Sequence, residues 1–243
     1  VKMNIDETFA GVIKNHRNEP LLLESILQKM NELHLPANSR IIDVAGGLGF
    51  PFLDLETRGL DIVYSDGSNH AVESVRQKAR QPQNCHNLLW HNLSSEIGKR
   101  QFAYVFCIGQ SLPYCLSWNN VNEQSARRYL QRVFKNFSNI TQSGGILHVD
   151  YAPQPSSNYP LSNNTEIVRI NGSEKPIITT VEANGDQRIL RFQAQDESEL
   201  IEKEGFNITR DLLVNLARRN GFYLIQEEKL RGDIFNSLFF RKL

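Results

Sequence analysis

The chain has 243 residues, with Lys plus Arg and Asp plus Glu at 27 each, so its formal net charge is zero. That length suits one large α/β domain with a modest insert, and the missing basic excess argues against nucleic acid, whose grip comes mainly from neutralising phosphates. Three cysteines (Cys85, Cys107, Cys115) without a CxxC pair argue against a disulfide framework or structural zinc, and a polar beginning with no apolar run near ~18 residues leads us to expect a cytoplasmic protein without a membrane span.

Residues 21–33 read as an amphipathic helix, with Leu22, Ile26, Met30 and Leu33 on one face. Pro36 stops it, and residues 41–44 form a short apolar run of the kind found in buried parallel strands. A glycine cluster and an amphipathic stretch at 51–58 follow. Then come a strand at 61–66, a helix at 69–79, a third strand at 87–90, an apolar fourth at 102–108, a long helix at 123–137 and a fifth strand at 146–149. This alternation predicts a Rossmann-like, doubly wound α/β sheet. A helix at 209–220, closed by Gly221, and strands at 222–227 and 235–241 complete seven strands. In between, 152–164 is rich in Pro, Ser and Asn and reads as a loop. Strands at 166–170, 177–181 and 188–192 follow it, with hairpin chemistry at Asn171-Gly172 and Asn184-Gly185. The expected organisation is an N-terminal lid segment (1–20), a core (21–151 and 205–243) and a small antiparallel β insert, or cap, after the fifth strand (152–204).

Asp43-Val44-Ala45-Gly46-Gly47-Leu48-Gly49 sits at the carboxyl end of the first strand, where the backbone must turn sharply and let a ligand approach. A dinucleotide fingerprint counted from Gly47 needs its third glycine where Phe52 stands, so the NAD reading fails. The D-x-A/G-x-G-x-G shape of class I methyltransferases remains. Asp66 ends the second strand, where a carboxylate can accept both ribose hydroxyls.

With these pieces the chain resembles the glycine and sarcosine N-methyltransferase-like branch of class I S-adenosylmethionine-dependent methyltransferases. Residues 43–49 resemble its D-V-A-C-G-T-G, and the interval from Asp43 to Asp66 matches the interval between its two acids. Residues 107–112, Cys-Ile-Gly-Gln-Ser-Leu, look like its C-L-G-N-S-F, and residues 144–150, Gly-Gly-Ile-Leu-His-Val-Asp, like G-G-L-L-V-I-D. The resemblance implies that S-adenosylmethionine is the cofactor. It implies that Asp43, Ala45, Gly46, Gly47 and Gly49 form the cofactor loop, and that Asp66, followed by Gly67 and Ser68, holds the ribose. Asn92 and Leu93 fall near the adenine, Ile108 and Gln110 line the methionine and substrate side, and Arg17 clamps the cofactor carboxylate.

One departure bears on the substrate. After the fifth strand the branch has D-H-R-N, whose arginine grips the substrate carboxylate; here the stretch is Asp150-Tyr151-Ala152-Pro153. Alanine cannot bind a carboxylate, and an unpaired acid in a closed pocket is strongly disfavoured. Arg169, Arg188 and Arg191 in the insert are the arginines available to substitute. The expected acceptor is a neutral or cationic small-molecule amine rather than glycine.

The ends of the fourth and fifth strands are where ligands gather in such sheets, which makes Tyr114, Asp150 and Tyr151 the catalytic candidates. For each tyrosine the alternative is packing against the cap, and for Asp150 it is capping local backbone. His16, His70, His86, His91 and His148 show no metal-ligand spacing, so no metal is expected. Other readings stay open: O- or C-methylation of a small metabolite, methylation of a nucleic-acid or protein amino group, or a scaffold that only binds the cofactor. The expected assembly is a monomer or homodimer.

Overall fold

The computed structural model describes residues 3–36, 38–97, 102–116, 125–152, 164–170, 172–184, 187–196 and 198–243. The chain opens with two helices, α1 (Ile5–His16) and α2 (Glu19–Glu32). The α/β alternation follows: β1 (Ile41–Asp43), α3 (Phe52–Thr57), β2 (Ile62–Asp66), α4 (Asn69–Arg76), β3 (Cys85–Asn87), α5 (Leu93–Glu96), β4 (Phe102–Cys107), α6 (Ala126–Ile140) and β5 (Thr141–Tyr151). Four strands come next, β6 (Asn164–Ile170), β7 (Ser173–Asn184), β8 (Gln187–Ala194) and β9 (Leu200–Phe206), before α7 (Arg210–Arg219), β10 (Phe222–Glu228) and β11 (Asn236–Lys242).

The large sheet has the order β10-β11-β5-β4-β1-β2-β3. β1 to β5 pair in parallel, while β11 runs antiparallel to both β5 and β10. Every residue of β4 is buried, as a central strand covered on both faces requires. Its side chains alternate between two apolar layers. Val105 and Cys107 face Val133, Phe134 and Phe137 of α6, and Tyr104 and Phe106 face Leu22, Ile26 and Phe52 of α2 and α3. The chain winds outward from β1 in one direction and from β4 in the other, so the crevice above the β1–β4 pair is the switch point of the sheet.

The cap is a separate antiparallel sheet in the order β6-β7-β8-β9. Val168, Ile170, Ile177, Leu190 and Phe192 form its core with Val12 and Ile13 of α1 and with Tyr114. The N-terminal stretch is a capped helix packed on the cap sheet: Asn4 Oδ1 accepts the Asp6 and Glu7 amides at its N-terminus. Three local expectations are corrected. The cap has a fourth strand, β9, whose alternating Glu202, Lys203 and Glu204 mask the period; charged side chains are typical of an edge strand. The third strand lies at Cys85–Asn87, ahead of the expected 87–90, so the apolar run 88–90 is left for another use. β5 begins at Thr141, before the Gly144-Gly145 pair, with a register irregularity against β4. Most of the expected loop at 152–164, the first residues of the helix expected at 123–137, and Asn171 and Gly185 of the two hairpin turns lie outside the described residues.

Candidate cofactor and acceptor site

A cavity of about 770 Å³ opens above the switch point, walled by the loop after β1, the end of β2, the run 88–90, the loop after β4, α1 and the edge of β6. The glycine loop is pinned from β2. Asp66 Oδ2 accepts the Gly47 amide at 2.9 Å, and Tyr64 Oη donates to the Gly47 carbonyl at 2.6 Å. Gly47 holds φ 48°, and a Cβ there would meet nothing within 4 Å, so bare backbone faces the cavity. At Gly46 the same Cβ would lie 2.3 Å from the Tyr64 ring. The two glycines are thus required for different reasons, one for ligand access and one for packing.

Asp66 lines the cavity, and its other oxygen, Oδ1, accepts the Ser68 amide at 2.8 Å. Burial pushes its carboxyl up to about 6, against the lowering effect of those two amides. Asp43 lies beneath the loop. Its Oδ1 accepts the Ala45 amide at 3.2 Å, Oδ2 is buried with no hydrogen-bond partner, and burial pushes the carboxyl up to about 8. An open backbone cradle, an unpaired buried carboxylate oxygen below it and a wall carboxylate with lone pairs to spare fit a nucleoside joined to a charged amino acid.

Other expected residues divide. Arg17, Ala45, Gly46, Gly49, Gly67 and Ile108 line the cavity together with Gly47 and Asp66. Ser68 stands just behind the wall; it caps α4 through the Ala71 amide and donates to Asp6 Oδ2 at 2.5 Å. Asn92 is exposed and Leu93 is buried in the core, both off the cavity wall. The neighbouring Leu88, Leu89 and Trp90 line it instead, with Trp90 held by donating Nε1–H to the Val44 carbonyl at 2.6 Å.

Asp150, Tyr114 and Tyr151 stand behind or beside the wall rather than on it. Asp150 accepts the Gly109 amide at 2.5 Å, the Gln110 amide at 3.0 Å and Arg17 Nη2 at 3.2 Å. Burial pushes its carboxyl up to about 6 although Arg17 pulls the other way. Tyr114 packs edge-on against Phe9 with ring centres 5.9 Å apart, and a Cβ on Gly205 of β9 would strike its ring. Tyr151 donates its hydroxyl to Glu227 at 2.5 Å and accepts from Asn236. Gln110 is buried at φ 59°, its side-chain oxygen 3.4 Å from Arg188 Nη1.

Arg17 is doubly committed. Nε and Nη2 donate to Asp233 at 2.8 and 3.1 Å, and Nη2 also reaches Asp150. Tyr64, Asp6 and Asp233 were missed in the sequence. Tyr64 had a usable signal, since two residues before Asp66 on a strand it must share that acid's face. Asp6 and Asp233 become visible only once distant segments meet.

No protein-family model matches the chain, and no curated protein matches it. Solved structures do. A S-adenosylmethionine-dependent methyltransferase from Clostridium acetobutylicum has TM-score 0.71 at 15% identity, covering 97% of this chain and 96% of that one. The sugar N-methyltransferase KedS8 from Streptoalloteichus has TM-score 0.71 at 14% identity, covering 100% and 94%. CalS10, an amino pentose methyltransferase from Micromonospora echinaspora solved with S-adenosylmethionine bound, has TM-score 0.64 at 12% identity, covering 100% and 98%. Over 97–100% of its length the chain aligns with these structures, and it has the fold of class I S-adenosylmethionine-dependent methyltransferases.

Proposed function

We propose that the chain is a S-adenosylmethionine-dependent methyltransferase that acts on the nitrogen of a neutral or cationic small-molecule amine. The observation that supports this reading is the Asp66–Gly47 contact in the switch-point cavity, a carboxylate suited to ribose hydroxyls beside a bare peptide cradle. Asp66 and the 46–49 loop hold the nucleoside and methionine parts, and Leu88, Leu89 and Trp90 supply the apolar slot for the base. Arg17 turns its remaining nitrogen, Nη1, toward Gly109 on the cavity wall. With two acids already on the guanidinium, it offers a carboxylate less than a free arginine does.

Bound there, the cofactor supplies a methyl group on a sulfonium. The protein's part is to align the acceptor nitrogen and exclude water, and alignment of this kind is worth about 7–11 kcal/mol of barrier. The acceptor must present a lone pair, so its proton leaves to a wall carboxylate or to water. We assign α1 as the cover of the chamber. It reaches the core through Asp6–Ser68 and the cap through His16 Nε2 on Glu166 Oε1 at 2.6 Å.

The charges on the wall support a neutral or cationic acceptor. Asp6, Glu7, Glu19, Asp54, Asp66 and Glu174 line the cavity against Lys14, Arg17, Lys78 and Arg169. Of these cations, Arg17 is held by two acids and Arg169 pairs with Glu174 at 3.6 Å. Where the resembling branch carries its carboxylate-gripping arginine, Ala152 is buried in the cap core. Arg191 sits outside, between Glu182 and Glu202. Nitrogen as the acceptor atom is supported by the resemblance to the glycine and sarcosine branch and by the name of KedS8, a sugar N-methyltransferase.

Calorimetry with S-adenosylhomocysteine tests the cofactor half, and no measurable binding overturns it. Transfer of a tritiated methyl group to a panel of amino sugars and simple amines, glycine and total RNA tests the acceptor half. Faster transfer to glycine or RNA than to every amine overturns that half alone.

A further inference from the structure

Two segments distant from Arg17 in sequence converge on its guanidinium. Arg17 lies between α1 and α2 with its side chain 5% exposed. It donates twice to Asp233, in the turn between β10 and β11, and once to Asp150 at the end of β5. Asp233 is fixed in turn by the Ile234 and Phe235 amides, at 2.7 and 3.2 Å, and the Phe235 ring lies beneath the guanidinium with its centre 5.2 Å away. The Asn18 amide donates to the Gly232 carbonyl at 2.9 Å, so that turn also abuts the start of α2.

On its far side Asp150 accepts the amides of Gly109 and Gln110, one on each oxygen. Both residues hold positive φ, 92° and 59°. That conformation is strained for glutamine and persists only where the surroundings impose it. Gly109 lines the cavity, so the turn forms part of its wall beside the end of α1. The carboxylate that imposes the turn is held by the arginine that ends α1.

Resting on the reading of α1 as the chamber's cover, we propose that Arg17 and Asp150 are positioning residues that make closure of α1 and formation of the Gly109–Gln110 turn one event, so that this part of the cavity wall exists only while the cover is shut. A buried ion pair broken from one side leaves an uncompensated charge, which is why release of Arg17 does not stop at α1 but reaches Asp150 and the turn. Neither residue touches the reacting atoms in this scheme.

Amide hydrogen exchange on the full chain, with and without S-adenosylhomocysteine, tests the coupling. In the wild type, the amides of α1 and those of Gly109 and Gln110 are expected to open at one common rate, slower than that of free peptide. Asp150→Asn removes the ionised partner that Arg17 shares with the Gly109 and Gln110 amides, which weakens the hold on the end of α1 and on the turn together. It is expected to speed exchange in both segments by about tenfold or more, with β1 and β4 unchanged. Arg17→Lys, which keeps the charge but cannot fork across two acids, is expected to do the same. The proposal is overturned if Asp150→Asn frees Gly109 and Gln110 while α1 exchanges as before. Should both variants fail to fold, different opening rates for the two segments in the wild type overturn it just as well. Lack of S-adenosylhomocysteine binding would sink the methyltransferase reading, yet coupled opening in the ligand-free chain would still stand.

Discussion

Asp66 and Gly47, nineteen positions apart, meet through a 2.9 Å hydrogen bond from the glycine amide to the carboxylate Oδ2. The contact fixes the cradle and aims the acid at the cavity together. Asp66→Ala removes the cradle's anchor and the two charge-assisted acceptors offered to the ribose, each worth about 1.5–3 kcal/mol. The expected result is a loss of S-adenosylhomocysteine affinity on the order of 100-fold or more, read by calorimetry, with the far-ultraviolet spectrum unchanged.

The same carboxylate gives cofactor affinity a pH dependence. Its titration is raised from 3.8 to about 6 by burial. The folded free protein therefore binds a proton there between those values when the unfolded chain does not. This group lowers stability as pH rises through that window. Accepting two ribose hydroxyls favours the ionised form, so binding expels the proton. Affinity should be flat above pH about 7 and fall toward about tenfold per pH unit below 6. Affinity that rises on acidification would contradict the assignment of Asp66.

Two adjacent glycines should behave differently. Gly47→Ala puts a methyl into open cavity at φ 48°, with a strain cost of about 1–2 kcal/mol and a protrusion toward the ligand. Gly46→Ala drives a methyl into the buried Tyr64 ring, costing about 1–3 kcal/mol of stability. Melting temperature and cofactor affinity, measured on both, should show Gly47→Ala hurting binding more than its stability loss explains and Gly46→Ala hurting stability first.

Tyr151→Phe is expected to be almost silent. Its hydroxyl is occupied by Glu227, which also pairs with Arg210 at 2.7 Å, and the ring lies off the cavity wall. A part-exposed hydrogen bond of this kind is worth about 0.5–1.5 kcal/mol. Methyl transfer within twofold of wild type, on whichever amine proves a substrate, is the outcome; a loss of a hundredfold would place Tyr151 in the chemistry after all.

What the sequence discloses here is what local pattern controls. Buried parallel strands announce themselves as unbroken apolar runs, so β1, β2 and β4 are legible, and a glycine loop set between strand and helix points to a nucleotide-type ligand. β9 is hidden because an edge strand advertises charge, and α1 because its apolar face is narrow and completed only by the cap. Within the site, Asp66 can be read from its place at a strand end. The resemblance pointed to Arg17 as a clamp for the cofactor carboxylate, and nothing local shows it shared between two acids: Asp233 lies 216 positions away, and no local rule connects them.

The cap meets the rest of the molecule through β6, β8 and β9. β6 lies under α1, and β9 presses Gly205 against the Tyr114 ring. Across β7, β8 and β9 runs a ladder of Glu182, Arg191 and Glu202. A change confined to β6 therefore reaches the far wall of the cavity and leaves Asp66 and the 46–49 loop, which rest on β1 and β2, as they are.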